Sequence, residues 1–433
     1  MPITTSRNGF GRLFLGLVWL LSACSLNLPA GQAVPTNTEP FQGGNAVEST
    51  ASPTSENSGP ITLTIWLPPA FDPAGGNLAA TMLQNRLNEF SEQHPQARIE
   101  TRVKAEEGTG GLLDSLLSYQ QAAPLALPDL TLLPNSLLQI AAQNEILHPL
   151  DALSSELDSE DWYPFARLMA VREGQDLGLP FAADALVMAY RHTAVQQAPA
   201  TWQQLNAGRR PLGFSAADPM AVFTLAELLS LEGRNETIRL DSSISPETLT
   251  AVFEFLVRGR DRGVFPFWLT QYQTAEQSWQ AFIEGSTPMV VVWTSQVFLD
   301  PPPDVSASPI PTQDGQPYTL MKGWLWTVTT PHEERATLAA NLAEFLSTPE
   351  FIAQWSAAAG LLPPRLSSLA AWSPDEKQAL ASQIVSEAGS LPDQSFLDLW
   401  GPALSEAIIP LLKQELTPAQ AVENVLAAVA NPQ

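Results

Sequence analysis

Hydrophobic and polar positions follow a clear order from residue 61 onwards. Residues 61–66 (ITLTIW) alternate and include β-branched side chains, which predicts a strand. Residues 78–94 carry apolar side chains at helical spacing, which predicts a helix, and residues 97–103 predict a second strand. A strand, a helix and a strand in this order indicate a parallel sheet, whose binding loops lie at the carboxyl ends of its strands.

Strand and helix patterns continue to the end of the chain. Further strands are predicted at 130–133, at 177–190 as two extended runs around Pro180, at 288–293 and at 323–330. Further helices are predicted at 112–121, 137–144, from Trp202, over most of 225–263 with a loop near Gly233, and at 279–284, 334–346, 349–359, 374–387, 395–413 and 418–430. Residues 301–317 contain six prolines and predict a loop. The whole pattern predicts an α/β fold.

The first 23 residues have the pattern of an export signal. Arg7 and Arg12 precede an apolar run at residues 13–21. This run is shorter than the about 20 residues that span a membrane. The sequence LSAC at 21–24 resembles the bacterial lipobox, in which the cysteine thiol receives acyl chains. We expect residues 1–23 to be a lipoprotein signal peptide and Cys24, the only cysteine, to be lipidated. The alternative is an ordinary signal peptide with an incidental cysteine.

Composition divides the remaining chain into a tether and a globular part. Residues 24–60 are rich in Pro, Thr, Ser, Asn and Gly without periodicity, which predicts a disordered tether. The globular part is long enough for two domains. The 433 residues contain 45 acidic and 21 basic side chains, a net charge of −24, which becomes −26 once the two arginines of the signal are removed. This charge argues against binding to nucleic acid.

Several segments resemble, in order, those of the extracellular solute-binding proteins of ABC importers (family 1, the group typified by maltose-binding protein). The segments are LQNRLNEFSEQHPQARIETRV, PDLTLL, AAQNEILHPLDAL, GLPFAADALVMAYRH, PATWQQL, AFIEGSTPMVVVW and HEERATLAANLAEFLSTPEFIAQWSAAAGLLPPR. The resemblance implies a two-lobed periplasmic-binding-protein-like fold, with a mixed sheet flanked by helices in each lobe. It places lobe 1 at 61–186 plus 312–350 and lobe 2 at 187–311 plus 351–433, with hinge crossings near 186–190, 306–312 and 348–363.

The resemblance also implies a function. We expect a monomeric, lipid-anchored receptor on the outer face of the cytoplasmic membrane that captures a small solute, with a sugar as the first expectation. It would deliver that solute to the permease subunits of an ABC importer, without a cofactor and without catalysis. The alternatives are an exported glycan-processing enzyme, a sensing lipoprotein that is not coupled to transport, and the same scaffold with a non-sugar ligand such as a polyamine or peptide.

Six side chains are candidates for ligand contact because they lie at strand ends or at positions that the family uses. They are Trp66, Asp72, Asn135, Asp184, Trp293 and Trp324. Aromatic rings suit the C–H faces of sugars, whereas carboxylates and amides suit hydroxyls. Each has a structural alternative: the tryptophans could pack in the core, Asp184 could cap a helix or turn, and Asn135 could lie in a helix N-cap region.

Other motifs favour a binding protein over an enzyme. The four histidines are scattered, and no two of them have the spacing that places them on one face of a helix, so we do not expect a metal site. Residues 106–111 (EEGTGG) lack the lysine of a phosphate-binding loop and predict a turn. The acidic residues include no pair whose spacing marks it for glycoside cleavage, where two carboxyl groups flank the bond. Trp202, Trp279 and Trp355 lie in helical patterns and are expected in the core.

Overall fold

The computed structural model of the chain describes residues 60–233 and 243–431, and the structural statements below refer to these ranges. The predicted signal peptide, Cys24 and all but the last residue of the predicted tether lie outside them. No helix within these ranges is both long enough and apolar enough to span a membrane.

The strands and helices confirm the predicted α/β class. The strands are Ile61–Leu67 (β1), Ala97–Val103 (β2), Leu130–Pro134 (β3), Val171–Arg172 (β4), Gln175–Asp176 (β5), Leu179–Arg191 (β6), Leu212–Gly213 (β7), Met289–Trp293 (β8), Val305–Ser308 (β9), Thr319–Val328 (β10) and Ala388–Ser390 (β11). The helices are Leu78–Gln93 (α1), Leu112–Ala122 (α2), Leu138–Gln143 (α3), Pro164–Ala170 (α4), Trp202–Gly208 (α5), Val222–Glu232 (α6), Pro246–Asp261 (α7), Ala275–Ile283 (α8), Thr294–Phe298 (α9), Glu333–Leu346 (α10), Pro349–Ala359 (α11), Leu366–Ala370 (α12), Glu376–Glu387 (α13), Gln394–Leu412 (α14) and Pro418–Ala430 (α15).

The main sheet has the strand order β2-β1-β3-β10-β6-β8-β7. As the β1–α1–β2 pattern predicts, β1 is parallel to β2, and it is also parallel to β3. Strand β10 is antiparallel to both β3 and β6. Beyond β6 the sheet continues with β8, which is antiparallel to β6 and parallel to β7. The sheet is therefore mixed, as expected.

Strand β6 belongs to both parts of this sheet. Its residues up to Ala185 pair with β10, and those from Leu186 to Arg191 pair with β8 and β9. The sequence predicted two extended runs around Pro180, whereas the structure has one continuous strand. The register shifts between Trp324 and Leu325, so that Phe181 has no direct partner in β10. This bulge lets the strand accommodate a proline, which cannot donate to the ladder.

Two large clusters of buried side chains flank the sheet. The first includes residues of β1, β3, α1, α10 and α11. The second includes residues of α6, α7, α14 and α15. Side chains of β8 alternate between the clusters, with Val290 and Val292 in the first and Met289 and Val291 in the second, because successive residues of a strand point to opposite faces.

Two predicted boundaries differ from the structure. The loop expected at 301–317 contains strand β9, which pairs with β6. The strand expected from residue 323 begins earlier, at Thr319, where it pairs with β11. Both differences have the same cause, since these residues are held by partners that are distant in the sequence and are not visible in local patterns.

A candidate ligand-binding cleft at the shared strand

A cavity of about 340 Å³ lies where β6 passes from one part of the sheet to the other. Its walls come from chain segments that are far apart in the sequence. The lining includes the end of β3, residues 322–324 of β10, Trp293 of β8, Leu186 of β6, the loop after β2, the loop between β7 and α6, and the start of α8. This volume is at the low end of the about 300–1,000 Å³ that ligand pockets occupy.

Asn135 lines the cavity and connects three segments of the chain. Its side chain is 1% exposed. Nδ2 donates to Ser390 Oγ (3.0 Å) and to the carbonyl of Leu391 (3.1 Å), and Oδ1 accepts from the backbone N–H of Gly323 (2.8 Å). Both donors of the amide are thus used internally, which leaves one acceptor position on Oδ1. The predicted N-cap alternative is not seen, because this side chain does not cap the helix that follows.

Trp293 and Trp324 also line the cavity, on either side of Lys322. The Lys322 ammonium lies 4.3 Å from the Trp293 ring centroid and 5.5 Å from that of Trp324. Trp324 is 4% exposed and packs edge-on against Phe71, with the ring centroids 5.0 Å apart. Trp293 is half-buried. Together the two indoles and the ammonium form a polar and aromatic wall.

Asp184 lies outside the cavity lining and acts as a capping group. It is 2% exposed, and its carboxylate accepts hydrogen bonds from Thr294 Oγ1 (2.7 Å) and from the N–H (3.0 Å) and Oγ (2.6 Å) of Ser295. Burial raises the pKa of Asp184, and the Lys322 charge and these hydrogen bonds oppose that rise. The contacts fix the first turn of α9 to β6, as the cap alternative predicted.

Trp66 and Asp72 also lie outside the cavity lining. Trp66 is 1% exposed and packs edge-on against Tyr119 of α2, with the ring centroids 5.3 Å apart. Asp72 stabilises its own turn, since its Oδ1 accepts from the N–H of Ala74 (2.8 Å). The structure thus brings together Asn135, Trp293 and Trp324 of the six candidates, and contact of any of them with a ligand remains a prediction.

Four carboxylates in the cavity wall were not singled out from the sequence. Glu106 and Glu107 come from the loop after β2, Asp218 precedes α6, and Glu276 lies in the first turn of α8. The predicted turn at 106–111 does occur. Its position directly after a strand was the one available signal, because loops at the carboxyl ends of strands line the binding crevice in α/β sheets.

These carboxylates lie close enough to influence one another. Burial raises the pKa of Glu106, and the charges of Glu107 and Asp184 add to that rise, whereas Lys322 and the indole N–H of Trp324 oppose it. Burial also raises the pKa of Asp218, which accepts from the N–H groups of Met220 and Val222, while the charges of Glu107 and Glu276 raise it further. Within residues 60–233 and 243–431, no group of three or more His, Cys, Asp or Glu is arranged to hold a metal ion.

A mixed sheet with one strand shared between two parts, and a cleft at that strand, defines the class of two-lobed ligand-binding proteins. A family model described as "Bacterial extracellular solute-binding protein" matches residues 85–381, and the chain belongs to this family. The expected family resemblance is therefore confirmed. No curated protein matches the chain by sequence.

Solved structures share the fold at low sequence identity. The sugar-binding protein MalE from Xanthomonas citri is 18% identical with a TM-score of 0.71, over 85% of this chain and 96% of the other. The cyclic alpha-maltosyl-1,6-maltose binding protein from Arthrobacter globiformis is 18% identical with a TM-score of 0.70, over 86% and 98%. Maltose-bound MalE3 of T. maritima is 19% identical with a TM-score of 0.66, over 85% and 99%. At these identities the likeness confirms the two-lobed fold.

Proposed function

We propose that this chain is the solute-binding component of an ABC importer and that it captures a carbohydrate in the cleft at β6. The observation that carries the proposal is the composition of the cavity wall. Asn135 and Trp324 come from the β3–β10 part of the sheet, and Phe214 and Trp293 come from the β7–β8 part. A solute held by both parts favours the closed arrangement in proportion to the contacts that exist only there. The structural neighbours named for maltose and related sugars support the choice of ligand class.

We propose that the two lobes meet at three crossings. The first is β6 near Leu186, where its pairing changes from β10 to β8. We move the second from 306–312 to residues 309–318, between β9 and β10, because β9 extends to Ser308 and pairs with β6. We place the third at residues 388–393 instead of 348–363, because β11 pairs with β10 whereas α14 packs against α7 and α15. The contact of helix α11 with α1 supports placing residues 349–359 in lobe 1. Lobe closure is then a hinge motion absorbed by these few positions.

Ligand binding is tested by thermal unfolding of the purified protein with a panel of neutral oligosaccharides. A ligand at a hundredfold excess over its Kd stabilises the folded state by about 2.7 kcal/mol, so the melting temperature must rise. Trp293→Ala should then lower the affinity about tenfold, equivalent to about 1.4 kcal/mol. Trp279→Ala, a half-buried tryptophan outside the cavity lining, is the matched control. A panel in which no sugar raises the melting temperature would remove the carbohydrate assignment.

We propose that lipid on Cys24 anchors the receptor to the outer face of the cytoplasmic membrane. The lipobox-like LSAC sequence and membership of an extracellular family support this location. In cells, Cys24→Ser should move the protein from the membrane fraction to the soluble exported fraction. Loss of uptake of the identified solute in a deletion strain, restored by the intact chain, would support delivery to an importer. Unchanged uptake would favour the sensing lipoprotein.

A glycan-processing enzyme is a second candidate function, because the cleft contains several carboxylates. Glu106 has a raised pKa beside other acids, which is the environment that a general acid requires. Hydrolysis would need a second carboxylate on the opposite side of the bond. Release of reducing ends from a bound oligosaccharide over long incubation, abolished by Glu106→Gln, would establish this candidate, and intact sugar after incubation would exclude it.

A further inference from the structure

The cavity wall carries more negative than positive charge. It contains four carboxylates, of Glu106, Glu107, Asp218 and Glu276, and one ammonium, of Lys322. Across the described ranges, none of the four carboxylates forms an ion pair. Glu106 and Asp218 are partly buried, so salt screens their charges less than those of the exposed Glu107 and Glu276.

The carboxylates approach from different segments on both sides of the cleft. Glu107, in the loop after β2, raises the pKa of both Glu106 and Asp218, and Glu276 adds to the effect on Asp218. Glu107, on one side of the cleft, thus lies close enough to Asp218, on the other side, for their charges to interact. Like charges that face each other oppose closure, and a cation placed between them would remove this repulsion and contact both sides at once.

Lys322 shows that one end of the cleft already holds an ammonium group. Its Nζ lies over the rings of Trp293 and Trp324, and its charge acts on Glu106 and Asp184. Aromatic faces and carboxylates together are the environment in which proteins bind ammonium ions. Glu107, Asp218 and Glu276 line the same cavity, and among the described residues Lys322 is the only lysine or arginine in its wall.

A second feature of the wall points to a hydroxyl group. Among the residues that the structure describes, the buried indole Nε1 of Trp324 has no hydrogen-bond partner within normal distance and angle, although its N–H lies close enough to Glu106 to oppose the rise of that pKa. An indole N–H can only donate, so it requires an acceptor such as a sugar oxygen. The apolar lining beside it, including Leu186, Phe214, Phe223 and Val291, suits the C–H face of a sugar ring.

We propose that the preferred solute is an amino sugar, with its protonated amine among Glu107, Asp218 and Glu276 and its ring against the apolar wall. This inference rests on the proposed function and narrows its ligand class. A neutral sugar leaves the carboxylates without a cation. A linear polyamine supplies cations but has neither a ring face nor a hydroxyl for the Trp324 N–H.

Calorimetric titration of the purified protein at neutral pH tests this with matched ligands. The probes are the disaccharide of glucosamine, its fully N-acetylated form, maltose and spermidine. The amine should bind at least tenfold more tightly than its acetylated form, and added salt should weaken only the binding of the amines. Glu107→Gln with Glu276→Gln should lower the affinity for the amino sugar about tenfold more than the affinity for maltose, a difference equivalent to about 1.4 kcal/mol. Both residues are exposed, and neither side chain accepts a hydrogen bond from the described part of the chain, so folding should be preserved.

Glu406→Gln is the matched control, because Glu406 is exposed on α14 away from the cavity. If maltose binds and the amine has no advantage, the amino-sugar inference fails and the proposed function stands. Tighter binding of spermidine than of any sugar also overturns the inference. If none of the probes and no neutral oligosaccharide binds, the inference and the proposed function fail together. The salt dependence of the wild-type protein decides the question even if the double variant does not fold.

Discussion

Glu227 is a buried carboxyl group whose protonation should control stability at neutral pH. It lies on α6 and is 1% exposed. Its Oε2 accepts from the Trp202 indole N–H at 2.7 Å, whereas Oε1 has no hydrogen-bond partner within residues 60–233 and 243–431. Burial raises the pKa of Glu227 from 4.5 to about 8, and the hydrogen bond from Trp202 opposes that rise. The folded protein therefore holds this proton at a pH where the unfolded chain has lost it.

The raised pKa fixes the direction and the size of the effect. Because the folded state binds the proton more tightly, the contribution of Glu227 to stability is fully present below pH 4.5 and is lost as the pH rises through about 8. One pKa unit corresponds to about 1.4 kcal/mol. The interval between 4.5 and about 8 thus corresponds to several kcal/mol. This is a large share of the about 5–15 kcal/mol that stabilises a typical protein.

Glu227→Gln tests this reasoning, because the amide keeps the shape of the protonated carboxyl group and cannot ionise. We expect urea unfolding to give similar free energies for wild type and variant near pH 5. Near pH 8.5 the variant should be more stable than wild type by several kcal/mol, which is the free-energy difference that follows from a rise of the pKa from 4.5 to about 8. Glu406→Gln, an exposed acid on α14, should show no such pH-dependent gain. A stability difference between Glu227→Gln and wild type that is the same at both pH values would refute the reasoning.

Two further substitutions probe the contacts that hold the cleft and the core. Asn135→Ala should lower the free energy of unfolding by about 1–3 kcal/mol, since it leaves the buried Gly323 N–H without the Asn135 acceptor, whereas the Leu391 carbonyl keeps a hydrogen bond from Ser390 Oγ (3.3 Å); an unchanged urea midpoint would contradict this. Arg365→Lys should lower the free energy of unfolding by about 2–4 kcal/mol. Arg365 is 2% exposed, and its guanidinium donates to Glu156 (2.6 Å) and lies 3.7 Å from the ring centroid of Trp162. Lysine cannot reproduce both contacts, and wild-type stability of this variant would show that the stacking contributes nothing.

Local patterns predicted the elements whose boundaries are set locally. Helix α1 was expected at 78–94 and ends one residue earlier, at Gln93. Its start is fixed locally, because the Asn77 side chain caps it by accepting from the Ala80 N–H. Strand β1 was recognised from alternation alone. Strand β9 (VSAS) was missed because Val305 is its only residue with a strong strand preference, and its pairing with β6 comes from the rest of the fold.

The aromatic candidates show where sequence reasoning about the site ends. Trp66 lies in a strand near its carboxyl end, and Trp293 ends a strand, so the same signal selected both. The structure separates them, because α2 places Tyr119 against Trp66, whereas Trp293 stays half-buried beside Lys322. Which neighbour covers a strand end depends on how helices from other parts of the chain pack, and this information is not in the strand sequence.

The carboxylates of the cleft were hidden for a different reason. A chain with 45 acidic residues has carboxylates on every part of its surface, so net charge cannot indicate which of them matter. Glu107, Asp218 and Glu276 come together because β2, β7 and α8 end or begin at one cavity. Inside that cavity their charges act on one another without a cation between them. The electrostatic cost of this arrangement falls when a positively charged solute enters, so the same acids that oppose closure of the empty cleft would favour closure around an amine.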